Sequence, residues 1–198
     1  MKINKTISKE DVSVFVSHHP IFQEHVTSMR SITYTIETDP FVALIETIIG
    51  QQISIKVAGI MIKRFYQSID LQHIHETDHE TLKAVGLSNN KIKGVMQLVK
   101  IKQSDPDFFD ELMHMSYQKI VSRLQPLYLI GPWTIDMVCL FSLDRPDIFS
   151  LHDYGIKQAI SKLMDQPYNK ALGEAFKTRF DQDGSLASLL CWDILNNK

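Results

Sequence analysis

Apolar positions recur at helical spacing along most of the chain. Phe41, Leu44, Ile45, Ile48 and Ile49 fall on one face at i, i+3, i+4 and i+7. Asp39-Pro40 precedes them, an N-cap residue followed by a first-turn proline. The stretch Gly50-Gln51-Gln52-Ile53-Ser54 interrupts the pattern, with Gly50 as the expected C-terminal cap and Ser54 as N-cap of a helix through Val57, Ile60, Met61 and Phe65. A second break at Gly86-Leu87-Ser88 leads into a helix through Ile92, Val95, Met96 and Val99. Ser8-Lys9-Glu10-Asp11 reads as a capping box opening a first short helix, and Asp107 and Ser116 can each open another. Only Ser31–Ile36, SITYTI, alternates like a short strand or extended connector. No repeat, low-complexity segment or long linker interrupts this order, so the expected class is all-α.

Bulk composition narrows the picture modestly. Hydrophobic residues make up 44% of the 198 positions and charged residues 22%, which suits one compact domain or two packed lobes. No apolar run approaches the roughly 18 residues of a membrane span, so no membrane partner is expected. The opening MKINKTISKEDV lacks the apolar core of a secretory signal, which makes the cytoplasm the expected location. The two cysteines, Cys139 and Cys191, sit in apolar helical contexts and read as buried thiols; two cannot build a four-thiolate cluster. His73, His75 and His79 lie among Glu76, Asp78 and Glu80 in a polar stretch that reads as a solvated face, and no metal site is expected. The net charge of −2 argues against a strongly basic nucleic-acid binder. Backbone N–H groups at helix N-termini can still hold phosphates without lysines, and such a protein would grip undamaged DNA weakly.

The most informative stretch is Leu124–Leu140, LQPLYLIGPWTIDMVCL. A helix from Ser116 ends near Pro126, and another begins after Gly131-Pro132. The glycine permits positive φ and close approach of an anion to the backbone. On its own this describes any helical hairpin. Downstream, Asp153 opens a helix Tyr154–Leu163; on its own it reads as an ordinary N-cap, one of several acids near the hairpin with Asp136, Asp144 and Asp147.

In its wider context the hairpin resembles that of the helix-hairpin-helix DNA glycosylases, in particular the 3-methyladenine DNA glycosylase II branch, whose pattern is L-x-x-L-x-G-I-G-x-W-T-A. Leu124, Leu127, Ile130, Gly131, Trp133 and Thr134 match; Leu129 replaces the first glycine and Ile135 the alanine. A leucine forced to positive φ would be strained. DPFVALIETIIGQQIS, GLSNNKIKGVMQL and DRPDIFSLHDYGIKQAI are similar to three further family segments in the same order. FDQDGSLASLLCW is similar to a C-terminal segment W-x-P-Y-R-S-x-A-x-x-x-x-W, matching at Ser185, Ala187 and Trp192 and departing at Phe180, Gln182, Asp183 and Gly184, without the family's arginine.

The resemblance implies a two-lobed helical fold with a cleft, residues 1–38 and 151–198 forming one lobe and 39–150 the other. It implies double-stranded DNA with damaged bases as partner, a monomer, and no cofactor beyond a monovalent cation at the hairpin backbone. It gives Asp153 the catalytic role, 20 positions beyond Trp133. It places Trp133, Trp192, Met137 and Tyr154 around an extruded base. Gln51, Gln52, Ser54, Ile130, Gly131 and Thr134 fall at DNA contacts, Gln52 as the wedge. Trp133 stands where bifunctional members carry a lysine nucleophile, so base release without strand cleavage is expected. A non-catalytic damage-binding module, a glycosylase for deaminated or mismatched bases, and a helical protein–protein adaptor remain open alternatives.

Overall fold

A computed structural model describes residues 1–26 and 30–196. The order of elements is β1 (Lys2–Ile7), α1 (Lys9–His18), β2 (Ile32–Glu37), α2 (Pro40–Gly50), α3 (Ile55–Ser68), α4 (His79–Ala84), α5 (Asn89–Ser104), α6 (Tyr117–Leu124), α7 (Pro132–Phe141), α8 (Tyr154–Leu163), α9 (Lys170–Lys177) and α10 (Gly184–Asn196). The helix starts follow from their caps. Ser8, Asp39, Ser54, Ser88, Ser116 and Asp153 each accept a hydrogen bond from an N–H of the first turn. Asp107 opens no helix; a 3-10 turn at Asp110–His114 follows instead, with Phe109 in the cap position. Gly50 is the last residue of α2 rather than a left-handed cap. The left-handed residue comes two positions later, at Gln52.

The strand expected at SITYTI forms as β2, one residue further on at Ile32–Glu37, and its partner β1 was not legible in the sequence. Thr6 faces Thr33 and Asn4 faces Thr35, each pair 3.0 Å apart, so the ribbon is antiparallel. Five of the six β1 residues are exposed, so no apolar alternation marks the strand.

The chain divides into two compact units, residues 1–36 with 139–198, and residues 37–138. In the first, α8 and α10 pack together over a core rich in phenylalanine: Phe15, Phe22, Phe149, Phe176 and Phe180. In the second, α2 lies against α3 and α5, burying Leu44, Ile45, Ile48, Ile49, Val95 and Leu98.

The second boundary falls at 138/139, earlier than the 150/151 expected from sequence. Hydrogen bonds to α10 explain the shift. The Ser185 N–H donates to Pro146 O (2.8 Å), the Ile148 N–H to Ser185 Oγ (3.1 Å), and the Ser188 hydroxyl to Ile148 O (2.9 Å). Gly184 permits this approach, since a Cβ there would stand 3.0 Å from the Asp147 carbonyl. Glycine at position 184 thus has a steric reason in this chain.

Candidate active site and nucleic-acid interface

Asp153 caps α8 with φ −80° and ψ 132°, and its Oδ1 accepts the Ile156 N–H at 2.9 Å. The same oxygen accepts the Trp192 indole N–H at 2.9 Å. Trp192 reaches it from α10, where its ring stacks on Phe141 with centroids 5.8 Å apart and an interplanar angle of 26°. Gly155 fits beneath the pair. A Cβ there would meet Asp153 Oδ1 at 3.0 Å, Trp192 Cδ1 at 3.1 Å and Trp192 Nε1 at 3.3 Å. Next to Trp192, the thiol of Cys191 is fully buried; burial pushes its pKa up, and the negative charge of Asp153 adds to the shift. A half-buried carboxylate is thus fixed by one helix start and one indole.

The other acids near the hairpin are engaged elsewhere. Asp144 pairs with Lys5 and accepts from the Tyr34 hydroxyl. Asp147 holds Arg145 through two bonds of 2.9 and 2.7 Å. Asp136 is buried and accepts the Tyr117 hydroxyl at 2.6 Å.

In the 37–138 unit the hairpin turn follows α6. The Leu127 N–H donates to Leu124 O and the Ile130 N–H to Leu127 O. Leu129 takes φ +64°, the left-handed conformation that costs a leucine about 1–2 kcal/mol. Gly131, by contrast, is not at positive φ. Leu129 is held by packing: its Cδ1 lies 3.3 Å from where a Cβ on Gly94 of α5 would stand. Tyr128 is fixed too, its N–H donating to Gln97 Oε1 (2.7 Å) and its hydroxyl to Asn90 Oδ1 (3.0 Å), with Lys93 Nζ 4.2 Å over its ring.

Several residues expected at the DNA turn inward. Ile130 is buried, and its N–H is used within the turn. Thr134 is buried, and its hydroxyl accepts from Gln51 Nε2 at 3.0 Å. The same amide donates to Leu129 O at 2.9 Å, so Gln51 binds the hairpin and does not project. Gln52 is exposed with φ +59°. Ser54 serves as the α3 cap, 3.3 Å from the Val57 N–H. Trp133 is half-buried at the second position of α7, Met137 is buried one turn later, and Tyr154 is 74% exposed. Trp192 offers Asp153 its N–H and Phe141 a ring face, a holding role beside the pocket role expected of it.

Sequence reasoning missed Gly155 and Phe141 and gave no role to Lys91, which lies in the GLSNNK segment. Lys91 Nζ donates to Ile49 O (2.7 Å) and Gln51 O (2.9 Å), closing the C-terminal end of α2, and burial lowers its pKa. For Gly155 a signal existed: a glycine in the first turn of a helix, directly after the cap and Tyr154, has no propensity reason to be there.

Residues 45–176 match the HhH-GPD superfamily of base excision DNA repair proteins, and the chain belongs to that superfamily. Bacillus subtilis YfjP, whose name assigns it provisionally to the DNA-3-methyladenine glycosylases, is 27% identical over 186 residues, covering 87% of this chain. The chain spans 63% of that relative's length. Among solved structures, a DNA-3-methyladenine glycosidase from Bacillus halodurans superposes with a TM-score of 0.82 at 22% identity, covering 98% of this chain and 93% of its own. An 8-oxoguanine glycosylase/lyase from Clostridium acetobutylicum, solved with double-stranded DNA, gives 0.80 at 16% identity, covering 97% and 72%. At these identities the two structures share the fold.

Proposed function

We propose that the protein is a monofunctional DNA glycosylase that hydrolyses the N-glycosidic bond of alkylated purines such as 3-methyladenine and 7-methylguanine, with Asp153 as the catalytic carboxylate and damaged double-stranded DNA as its partner. The observation that carries this reading is the fixing of Asp153 Oδ1 by the Ile156 and Trp192 N–H groups. Both bonds fall on one oxygen, which sets where the other points. The B. subtilis relative's name supports the substrate class.

A purine alkylated at N3 or N7 carries positive charge and leaves as a neutral base when its bond to C1′ breaks. The sugar left behind is oxocarbenium-like. A carboxylate about 4 Å away at an effective dielectric near 20 stabilises it by about 4 kcal/mol, or about three decades in rate. Water then bonds to C1′, and its proton passes to Asp153 or to solvent. The target base must leave the stack first. On this reading the half-buried Trp133 indole stacks on it, and a cationic ring gains further over such a face. On the same reading a phosphate is assigned to the start of α7, where Pro132 leads, as helix N-termini favour anions.

Trp133 carries no amine, so a Schiff base with C1′ is not expected at that position. Incubation of the protein with methylated duplex, followed by analysis of released bases and intact strands, tests the whole reading. The expected result is free 3-methyladenine or 7-methylguanine, no nicked strand, no borohydride-trapped adduct, and about a thousandfold loss in Asp153→Asn with binding to an abasic duplex retained. Equal activity of Asp153→Asn and parent removes Asp153 from the mechanism. Release of deaminated or mismatched bases in preference to alkylated ones replaces the substrate class.

A further inference from the structure

The loop between α2 and α3 is fastened from two sides. On one side the Gln51 amide donates to Leu129 O (2.9 Å) and Thr134 Oγ1 (3.0 Å), across the turn that leads into α7. On the other, Lys91 Nζ grips the Ile49 and Gln51 carbonyls. Two non-glycine residues in the left-handed region adjoin this amide: Gln52 is next to it in the chain, and Leu129 is its hydrogen-bond partner. Such backbone strain persists where surrounding contacts over-determine it. Gln51 is half-buried with its amide N–H groups directed at the hairpin, while Gln52 is exposed.

We propose that Gln51 is a positioning residue: its side-chain amide locks the Gln52 loop to the hairpin turn, so that the residue projecting towards the duplex and the backbone preceding α7 hold a fixed separation. The consequence for DNA rests on the proposed glycosylase reading; the lock itself does not. It assigns the two adjacent glutamines different tasks. Gln52 fills space in the duplex, and Gln51 sets where Gln52 stands. Because the amide ties the neighbour of one strained residue, Gln52, to the carbonyl of another, Leu129, releasing it frees both segments together.

The test uses the full chain with Gln51→Ala, Gln51→Glu (the same shape without the donor), Thr134→Ser and Thr134→Val. Amide hydrogen exchange on the free protein reads the lock without DNA. The expected result in both Gln51 variants is about tenfold faster exchange at residues 51–54 and also at 128–134, with α8 and α10 unchanged. Faster exchange at the loop alone, or at neither segment, overturns the proposal. A duplex with 2-aminopurine opposite an abasic analogue reads the consequence. Loss of the Gln51 amide should slow the fluorescence rise about tenfold while changing the dissociation constant less than threefold. Thr134→Ser should match the parent, and Gln51→Ala with Thr134→Val should be no slower than Gln51→Ala alone. Additive losses overturn the lock. A parent protein that neither binds the abasic duplex nor releases bases ends the glycosylase reading, and the exchange result still decides the lock.

Discussion

Replacing Gly155 with alanine should separate catalysis from stability at this site. The new methyl would lie 3.0 Å from Asp153 Oδ1 and 3.1 to 3.3 Å from two atoms of the Trp192 indole, closer than ordinary contact. Gly155 lies in the first turn of α8 and is not at positive φ, so the backbone accepts alanine. Alanine gains about 1 kcal/mol of helix propensity over glycine. Pushing the carboxylate and indole off their rotamers costs about 0.5–1.5 kcal/mol. The two nearly cancel, and the melting temperature should move by less than about 4 °C. Catalysis has no such compensation. Moving a charge from about 4 to about 5 Å at a dielectric near 20 removes about 0.8 kcal/mol of stabilisation, or about fourfold in rate. Weakening the charge-assisted indole bond removes part of a further 1.5–3 kcal/mol of orientation. Single-turnover base release from methylated duplex should therefore fall about 10- to 100-fold at saturating enzyme, with binding to abasic duplex unchanged. A parental rate at a parental melting temperature would show that the carboxylate has slack and that its fixing is irrelevant. A rate loss that merely follows a fall in folded fraction would refute the reasoning equally.

Two further substitutions probe the same chemistry. Trp192→Phe keeps a ring against Phe141 but removes the N–H at 2.9 Å from Asp153, and should lower single-turnover release about tenfold with little change in stability; a parental rate would leave the indole N–H without a role. Trp133→Ala should reduce release of cationic bases more than of neutral ones, since a positive ring gains from the indole face. A uniform loss across substrates would argue that Trp133 only packs.

Local chemistry was the legible part. The aspartate-proline start of α2, the serine caps of α3, α5 and α6, and Asp153 at the head of α8 all follow from short-range hydrogen bonding that a sequence displays directly. The sequence marks Leu129 as a place where positive φ would be strained, and the structure keeps the left-handed conformation there, at φ +64°. What escaped depends on meetings between distant segments. Gln51 reads from sequence as a DNA contact with its neighbour because its acceptors in the hairpin lie about eighty positions away. Trp192 looked like a pocket wall because nothing in its neighbourhood shows that Asp153 takes its N–H. The strand Lys2–Ile7 escaped for a different reason, as its mostly exposed side chains leave the alternation that betrays a strand undrawn.

Assembly of the two compact units follows different rules during synthesis. Residues 37–138 are contiguous, so every segment of that unit is present once residue 138 has cleared the ribosome. The other unit joins residues 1–36 to 139–198, and the indole that steadies Asp153 arrives 39 residues after it. A nascent chain therefore completes the segment with its hairpin early and the bond that steadies Asp153 last, so a prematurely terminated product lacking α10 would keep the loop and the turn but leave the Asp153 carboxylate without the Trp192 N–H.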